Sequence, residues 1–200
     1  MDRRNFYAAV LGLEGCIYGI SNFRIIKYNP VDNNVSNVTI RSGDDDFAGG
    51  VLTSNGNIYS ANKHGQILKV DVKQNSCSII GRRAYNGYGS GWGRPVLGDD
   101  KCLYFPPSQH GRVLNFNPTT QRRSFIGRYL QFKECKWFGA ALASNGFIYC
   151  IPYKADDILQ IDSRHTNERV LEWVHNVLAC REHLRRGNQL RIKNSRAEYL

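Results

Sequence analysis

Two histidines of this 200-residue chain stand in matching contexts, His64-Gly65-Gln66-Ile67-Leu68 and His110-Gly111-Arg112-Val113-Leu114. A pair of imidazoles is the beginning of a zinc site, but a catalytic zinc takes about three protein ligands and no third is evident. Lys154 and Asp156 occupy the related stretch further along. Asp44-Asp45-Asp46 is an oxygen-rich run of the kind calcium favours. His64, His110, Asp44, Asp45 and Asp46 are thus the weak metal candidates, and the activity they would support is metal-assisted hydrolysis. A different constellation favours binding. The segment Arg82 to Arg94 mixes arginine, tyrosine and glycine, and Arg128 and Lys136 add cations beyond it. Arginine pairs bidentately with phosphate or carboxylate, and tyrosine offers rigid contact area. The candidate contacts are Arg82, Arg83, Tyr85, Tyr88, Arg94, His110, Arg128 and Lys136, and the ligand they suit is a protein or a small anionic molecule. No catalytic residue is assigned: Ser90 lies in a glycine loop without a strand-to-helix elbow. Gly87-Tyr88-Gly89 is no dinucleotide fingerprint, because no helix follows it. No cofactor is expected.

The elements that must hold these residues are set by an internal repeat. Phe47 to Tyr59 and Trp137 to Tyr149 share the leading aromatic, a leucine, Ser-Asn-Gly and Ile-Tyr at the same offsets. Leading aromatics stand at Phe6, Phe47, Trp92 and Trp137, and tyrosines at Tyr18, Tyr59, Tyr104 and Tyr149, both with spacings of 41, 45 and 45. After each tyrosine comes an aliphatic strand ending in Asn or Asp, namely Ile25–Asn29, Ile67–Asp71, Val113–Asn117 and Ile158–Asp162. A polar turn and a last short strand follow, at 38–40, 78–80, 124–126 and 169–171. Each repeat therefore holds four short strands, here a to d. Asn-Gly predicts a tight a–b hairpin with both central residues at positive φ. The columns that recur in every unit predict packing between blades, since structure keeps a repeat and function breaks it. Four antiparallel strands every 41–45 residues predict an all-β fold, a β-propeller of about four blades at 6–46, 47–91, 92–136 and 137–173. The long d–a loops put the binding face on the b–c/d–a side.

This motif resembles the blades of the broad YVTN/NHL/kelch-like propeller superfamily over residues 6–173, without the Gly-His and Trp-Asp marks of WD repeats. The resemblance implies the fold. Lactonase-type propellers would further imply carboxylates and Asn along the central channel, and the only Glu near such a position is Glu14, beside a turn. The reading is a non-catalytic binding or scaffold module; the alternatives are the metal-assisted hydrolase or lactonase, and nucleic-acid binding through the C-terminal tail.

That tail breaks the repeat. Val170, Val174, Val177, Leu178, Arg181 and Leu184 follow helical spacing, predicting a short helix within 168–186 that Gly187 stops. A decayed fifth blade is the other reading of 173–178. Residues 179–196 carry six basic residues against Glu182, giving a basic tail over the rest of 174–200. The whole chain has 27 Lys+Arg against 17 Asp+Glu, a net charge of +10. Such a balance is compatible with acidic partners and excludes few functions. No apolar run reaches the roughly 18 residues of a membrane span, and no secretory leader is visible. With no Cys-x-x-Cys pair, the six cysteines read as reduced thiols of a cytoplasmic protein. Four blades would leave two apolar end faces unless the helix caps one, so the chain is expected to self-associate or to be a fragment of a longer propeller.

Overall fold

The computed structural model describes residues 6–21, 24–38, 47–84, 91–130, 135–164 and 178–180. They form sixteen strands in four sheets. The first is β1 (Phe6–Leu11), β2 (Ile17–Ser21), β3 (Ile25–Asn29) and β4 (Asn34–Val38). The second is β5 (Val51–Leu52), β6 (Asn57–Ala61), β7 (Ile67–Asp71) and β8 (Ser76–Ile80). The third is β9 (Val96–Leu97), β10 (Leu103–Phe105), β11 (Val113–Asn117) and β12 (Arg122–Ile126). The last is β13 (Trp137–Leu142), β14 (Phe147–Pro152), β15 (Ile158–Asp162) and β16 (Leu178–Cys180). Every sheet runs in chain order with antiparallel neighbours. These are propeller blades, and their innermost strands approach one another from β1 to β5 and from β9 to β13.

Side-chain alternation explains how the blades stack. Successive residues of a strand point to opposite faces, so each blade has a forward and a back face. Tyr18 and Ile20 of the first blade meet Ile58, Leu68 and Val70 of the second. Tyr59 and Ala61 meet Leu103, Leu114 and Phe116 of the third, with the Tyr59 and Phe116 rings 5.3 Å apart. Tyr104 and Val113 meet Ile148, Leu159 and Ile161 of the fourth. The leading aromatics Phe47, Trp92 and Trp137 pack back into the same three seams. Among the described residues no buried cluster joins the fourth blade to the first.

The a–b turn differs from the tight hairpin expected. Thr53 N–H donates to the Asn57 carbonyl, Gly56 N–H donates to the Thr53 carbonyl, and of the two turn residues only Gly56 has positive φ, 80°. This is a three-residue connection closed by one left-handed residue. The same place is held by Gly15 (φ 82°), Gly146 (φ 79°) and, in the third blade, Lys101 (φ 64°). The residue before it bonds the repeat tyrosine in every blade. Tyr18 donates to Glu14 at 2.6 Å and Tyr104 to Asp100 at 2.8 Å. Asn55 donates to Tyr59 at 3.3 Å and Asn145 to Tyr149 at 3.1 Å. The tyrosine column thus locks the turn of its own blade and, at Tyr18, Tyr59 and Tyr104, also packs on the next. At the c–d turns the closing Asn29, Asp71, Asn117 and Asp162 accept backbone N–H groups two or three residues ahead.

The expected C-terminal helix needs one correction. Residues 178–180 are strand: β16 pairs with β15 through Ile158↔Cys180, Leu159↔Ala179 and Gln160↔Leu178. An unpaired edge of β15 would leave backbone donors and acceptors without partners, and pairing satisfies them where a short helical spacing offers less. The remainder of 165–200, with the expected 169–171 strand, the rest of the helix and the basic tail, lies outside the described residues. Among the described residues no helix is long and apolar enough to cross a membrane.

Candidate functional site

The b–c/d–a side of the third and fourth blades is built by a backbone device. Pro107, two residues after β10, and Pro152, the last residue of β14, stand at matching positions, each paired with the leading tryptophan of its blade. Beyond Pro107, the N–H groups of Ser108, Gln109 and His110 all converge on the Gly91 carbonyl at 3.1, 3.2 and 2.9 Å. Beyond Pro152, the N–H groups of Tyr153, Lys154 and Ala155 converge on the Lys136 carbonyl at 2.8, 3.3 and 3.3 Å. Successive N–H groups form a concavity that suits a negative centre, here filled by a carbonyl oxygen. The tryptophan after each such carbonyl fixes the far end of the loop: Trp92 Nε1 donates to the Arg112 carbonyl at 2.9 Å and Trp137 Nε1 to the Asp157 carbonyl at 2.7 Å.

Lys136 ties the two loops together. Its N–H donates to the Ser108 carbonyl at 2.9 Å and its Nζ to the His110 carbonyl at 3.1 Å. The residue is 3% exposed, so its ammonium points into the protein, where a surface contact was expected. Burial holds its pKa below the usual lysine value. The His110 ring packs against Trp92 and Phe125, with centroids 4.3 and 5.2 Å away while those two rings stack on each other at 5.7 Å, and its Nδ1 accepts the Arg112 N–H at 3.1 Å. Burial there lowers the histidine pKa against the raising effect of the Arg112 contact, favouring neutral imidazole. Two buried polar atoms of this loop, Ser108 Oγ and Gln109 Oε1, have no hydrogen-bond partner among the described residues.

Arg94 breaks the repeat at its centre. It lies two residues after the leading aromatic, where the other blades carry Ala8, Gly49 and Gly139. Its N–H donates to the Phe138 carbonyl at 2.8 Å, and its guanidinium lies 5.8 Å from the Phe138 ring centroid. Its stem lies so close to Gly49 that a Cβ there would come within 3.0 Å of Arg94 Cγ. The residue therefore touches the innermost segments of three successive blades and is itself exposed. Gly49, at φ 78°, is required twice, by its backbone and by this contact.

The remaining basic candidates are at the surface. Arg82, Arg83 and Arg128 are exposed. Arg82 is held through its carbonyl, which accepts from Arg123 of the third blade, and Arg123 also donates to the Gly65 carbonyl, stitching blades two and three. Tyr85, Tyr88, Asp44, Asp45 and Asp46 lie outside the described residues. Residues 72–98 and 101–133 contain no Asp or Glu. The third blade's described acids, Asp99 and Asp100, sit in its a–b turn, at the opposite end. The sequence reading missed Ser108, Gln109 and Trp92 as parts of this corner; the matching Pro107 and Pro152 were the available signal. His64 is buried in the second blade, its N–H donating to Asn62 Oδ1 at 3.0 Å. Among the described residues no group of three or more His, Cys, Asp or Glu side chains is placed to hold a metal ion.

No protein-family model matches the sequence, and no curated protein matches it. Solved structures do match. Virginiamycin B lyase from Staphylococcus aureus is 13% identical, with a TM-score of 0.69, over 83% of this chain and 55% of that one. A streptogramin B lyase is 15% identical, with a TM-score of 0.66, over 83% and 54%. Hydrazine synthase of Kuenenia stuttgartiensis is 11% identical, with a TM-score of 0.59, over 80% and 46%. The chain spans about half the length of these proteins, and at such identities the likeness is one of fold.

Proposed function

We propose that this chain is a non-catalytic binding module that takes the anionic group of a protein or small ligand on the b–c/d–a side of its second and third blades. The observation that carries this reading is Arg94, an exposed guanidinium at the inner column where the other three blades have glycine or alanine. A repeat needs no arginine there for packing, and a guanidinium presents a planar fork of donors suited to carboxylate or phosphate. The absence of Asp and Glu from 72–98 and 101–133 leaves Arg82, Arg83, Arg94, Arg112 and Arg128 as a one-signed surface. Arg94 and Arg128 are the residues expected to contribute most, with His110 as a neutral hydrogen-bonding neighbour. The described cysteines are free thiols, which supports a reducing compartment such as the cytoplasm.

The test is calorimetric titration with a glutamate-rich peptide and with a phosphopeptide of matched length. Binding of either that weakens with added salt, and falls about tenfold for Arg94→Ala, is expected, a loss near 1.4 kcal/mol. Absence of binding for both, or binding indifferent to Arg94→Ala and Arg128→Ala, sinks the reading.

A further inference from the structure

Each seam in this molecule joins the forward face of one blade to the back face of the next. Among the described residues the four blades make three seams and leave one face of each kind uncovered. The back-face column is Ile17, Ile58, Leu103 and Ile148; the last three are 0% exposed, while Ile17 is 37% exposed. The leading-aromatic column repeats the contrast, with Phe47, Trp92 and Trp137 buried and Phe6 38% exposed. On the forward side, Ile20 and Ala61 are 0% and 2% exposed, while Ile151 of the same column is 59% exposed. Tyr149 is likewise half-buried where Tyr18, Tyr59 and Tyr104 are buried. Leu11 and Val35 extend the open back face of the first blade, at 63% and 57%.

From this we infer that a second copy of the chain docks head to tail, the forward face of blade four (Tyr149, Ile151) seating on the back face of blade one (Phe6, Leu11, Ile17) of its neighbour. What selects the occupant is the repeat. The open forward face carries the columns that already pair with back faces three times in this chain, and the open back face carries the matching columns. A partner offering the complementary half of that seam is present in every other copy. The contact is heterologous, so two arcs either close on each other or continue into longer assemblies. Exposed apolar faces of this kind mark association sites.

The experiment is light scattering after size exclusion on the full 200-residue chain, with Ile17→Arg, Ile151→Arg and an equimolar mixture of the two. The wild-type chain is expected at the mass of two or more copies. Each variant alone is expected as a monomer, because each loses one half of the seam. The mixture is expected as a dimer that grows no further, since it retains one good forward and one good back face. Both wild-type side chains are exposed within one copy, so unchanged thermal melting of the monomeric variants is the control for folding. A monomeric wild-type chain, an assembly that survives both substitutions, or a mixture that stays monomeric overturns the inference.

Discussion

The b–c corners of the first two blades and those of the last two perform the same task with different chemistry. In the first blade Ser21 Oγ donates to the Arg24 carbonyl at 2.9 Å and accepts its N–H at 3.1 Å. In the second, Asn62 Oδ1 accepts the N–H groups of His64 and Gln66 at 3.0 and 2.9 Å. There a side chain holds the loop, and the leading aromatic is a phenylalanine with no donor. In the third and fourth blades proline stands at that position and has no polar side chain to offer. The loop is held instead by three backbone N–H groups on one carbonyl and by a tryptophan N–H on another. Phe with a polar cap, and Trp with proline, are thus two self-consistent solutions. In the second the corner is held without a polar side chain at the proline position, although His110 Nδ1 still accepts the Arg112 N–H, and this is where the repeat is broken by Arg94.

The comparison is broken most severely by Trp92→Ala. Removing a side chain 1% exposed in the seam between blades two and three is expected to cost roughly 3–5 kcal/mol by chemical denaturation. Asn62→Ala orphans two N–H groups inside the second blade and is expected to cost about 1–3 kcal/mol. If the two kinds of corner are different solutions, Ser108→Ala costs far less, because its Oγ has no partner among the described residues; equal losses would erase the distinction. Trp92→Phe keeps an aromatic ring but gives up the Nε1 bond and part of the indole's volume, for an expected loss of about 1–3 kcal/mol. Lys101→Gly relieves a left-handed backbone and is expected to gain about 1 kcal/mol; no gain would mean that the turn is not strained.

The smallest effect is a pH dependence. Burial keeps the folded-state pKa of His110 below its unfolded value, so the unfolded chain binds the proton more readily. Stability from this group is full above the usual histidine range and declines as pH falls below it. His110→Gln is expected to flatten that slope in urea titrations made at pH values on either side of the range; an unchanged slope would assign it elsewhere. Glu14 acts in the same direction at lower pH. Burial raises its pKa, and the Tyr18 hydroxyl, a backbone hydrogen bond and Lys27 outweigh that, holding the carboxyl below its ordinary value.

The blades were legible because their columns obey local rules. Period-two alternation, a turn residue before a left-handed position, and Asn or Asp at the end of strand c recur at fixed offsets, and each acts within a few residues. Their physical reason is short-range: a strand's two faces and a turn's φ are set by neighbours along the chain. The Asn-Gly signal still misled on turn type, since loop length was decided by the strand register. Residues 178–180 misled further, because edge pairing to β15 is not encoded in a helical spacing.

The site was legible only as a list of basic and aromatic residues. His110 and Lys136 were named without the relation between them, and Lys136 proved to be an internal tie, 3% exposed. Sequence by itself determined the repeat, the strand faces and the sign of the charge on blades two and three, all consequences of residue type and spacing. Only the tertiary structure decided which carbonyls fill the loop concavities, which cations face inward, that Arg94 spans three blades, and which two seam faces the described residues leave uncovered. Those depend on contacts between residues some 26 to 64 positions apart, as in Lys136 to His110 and Ser163 to Asp99, and no local pattern carries that information.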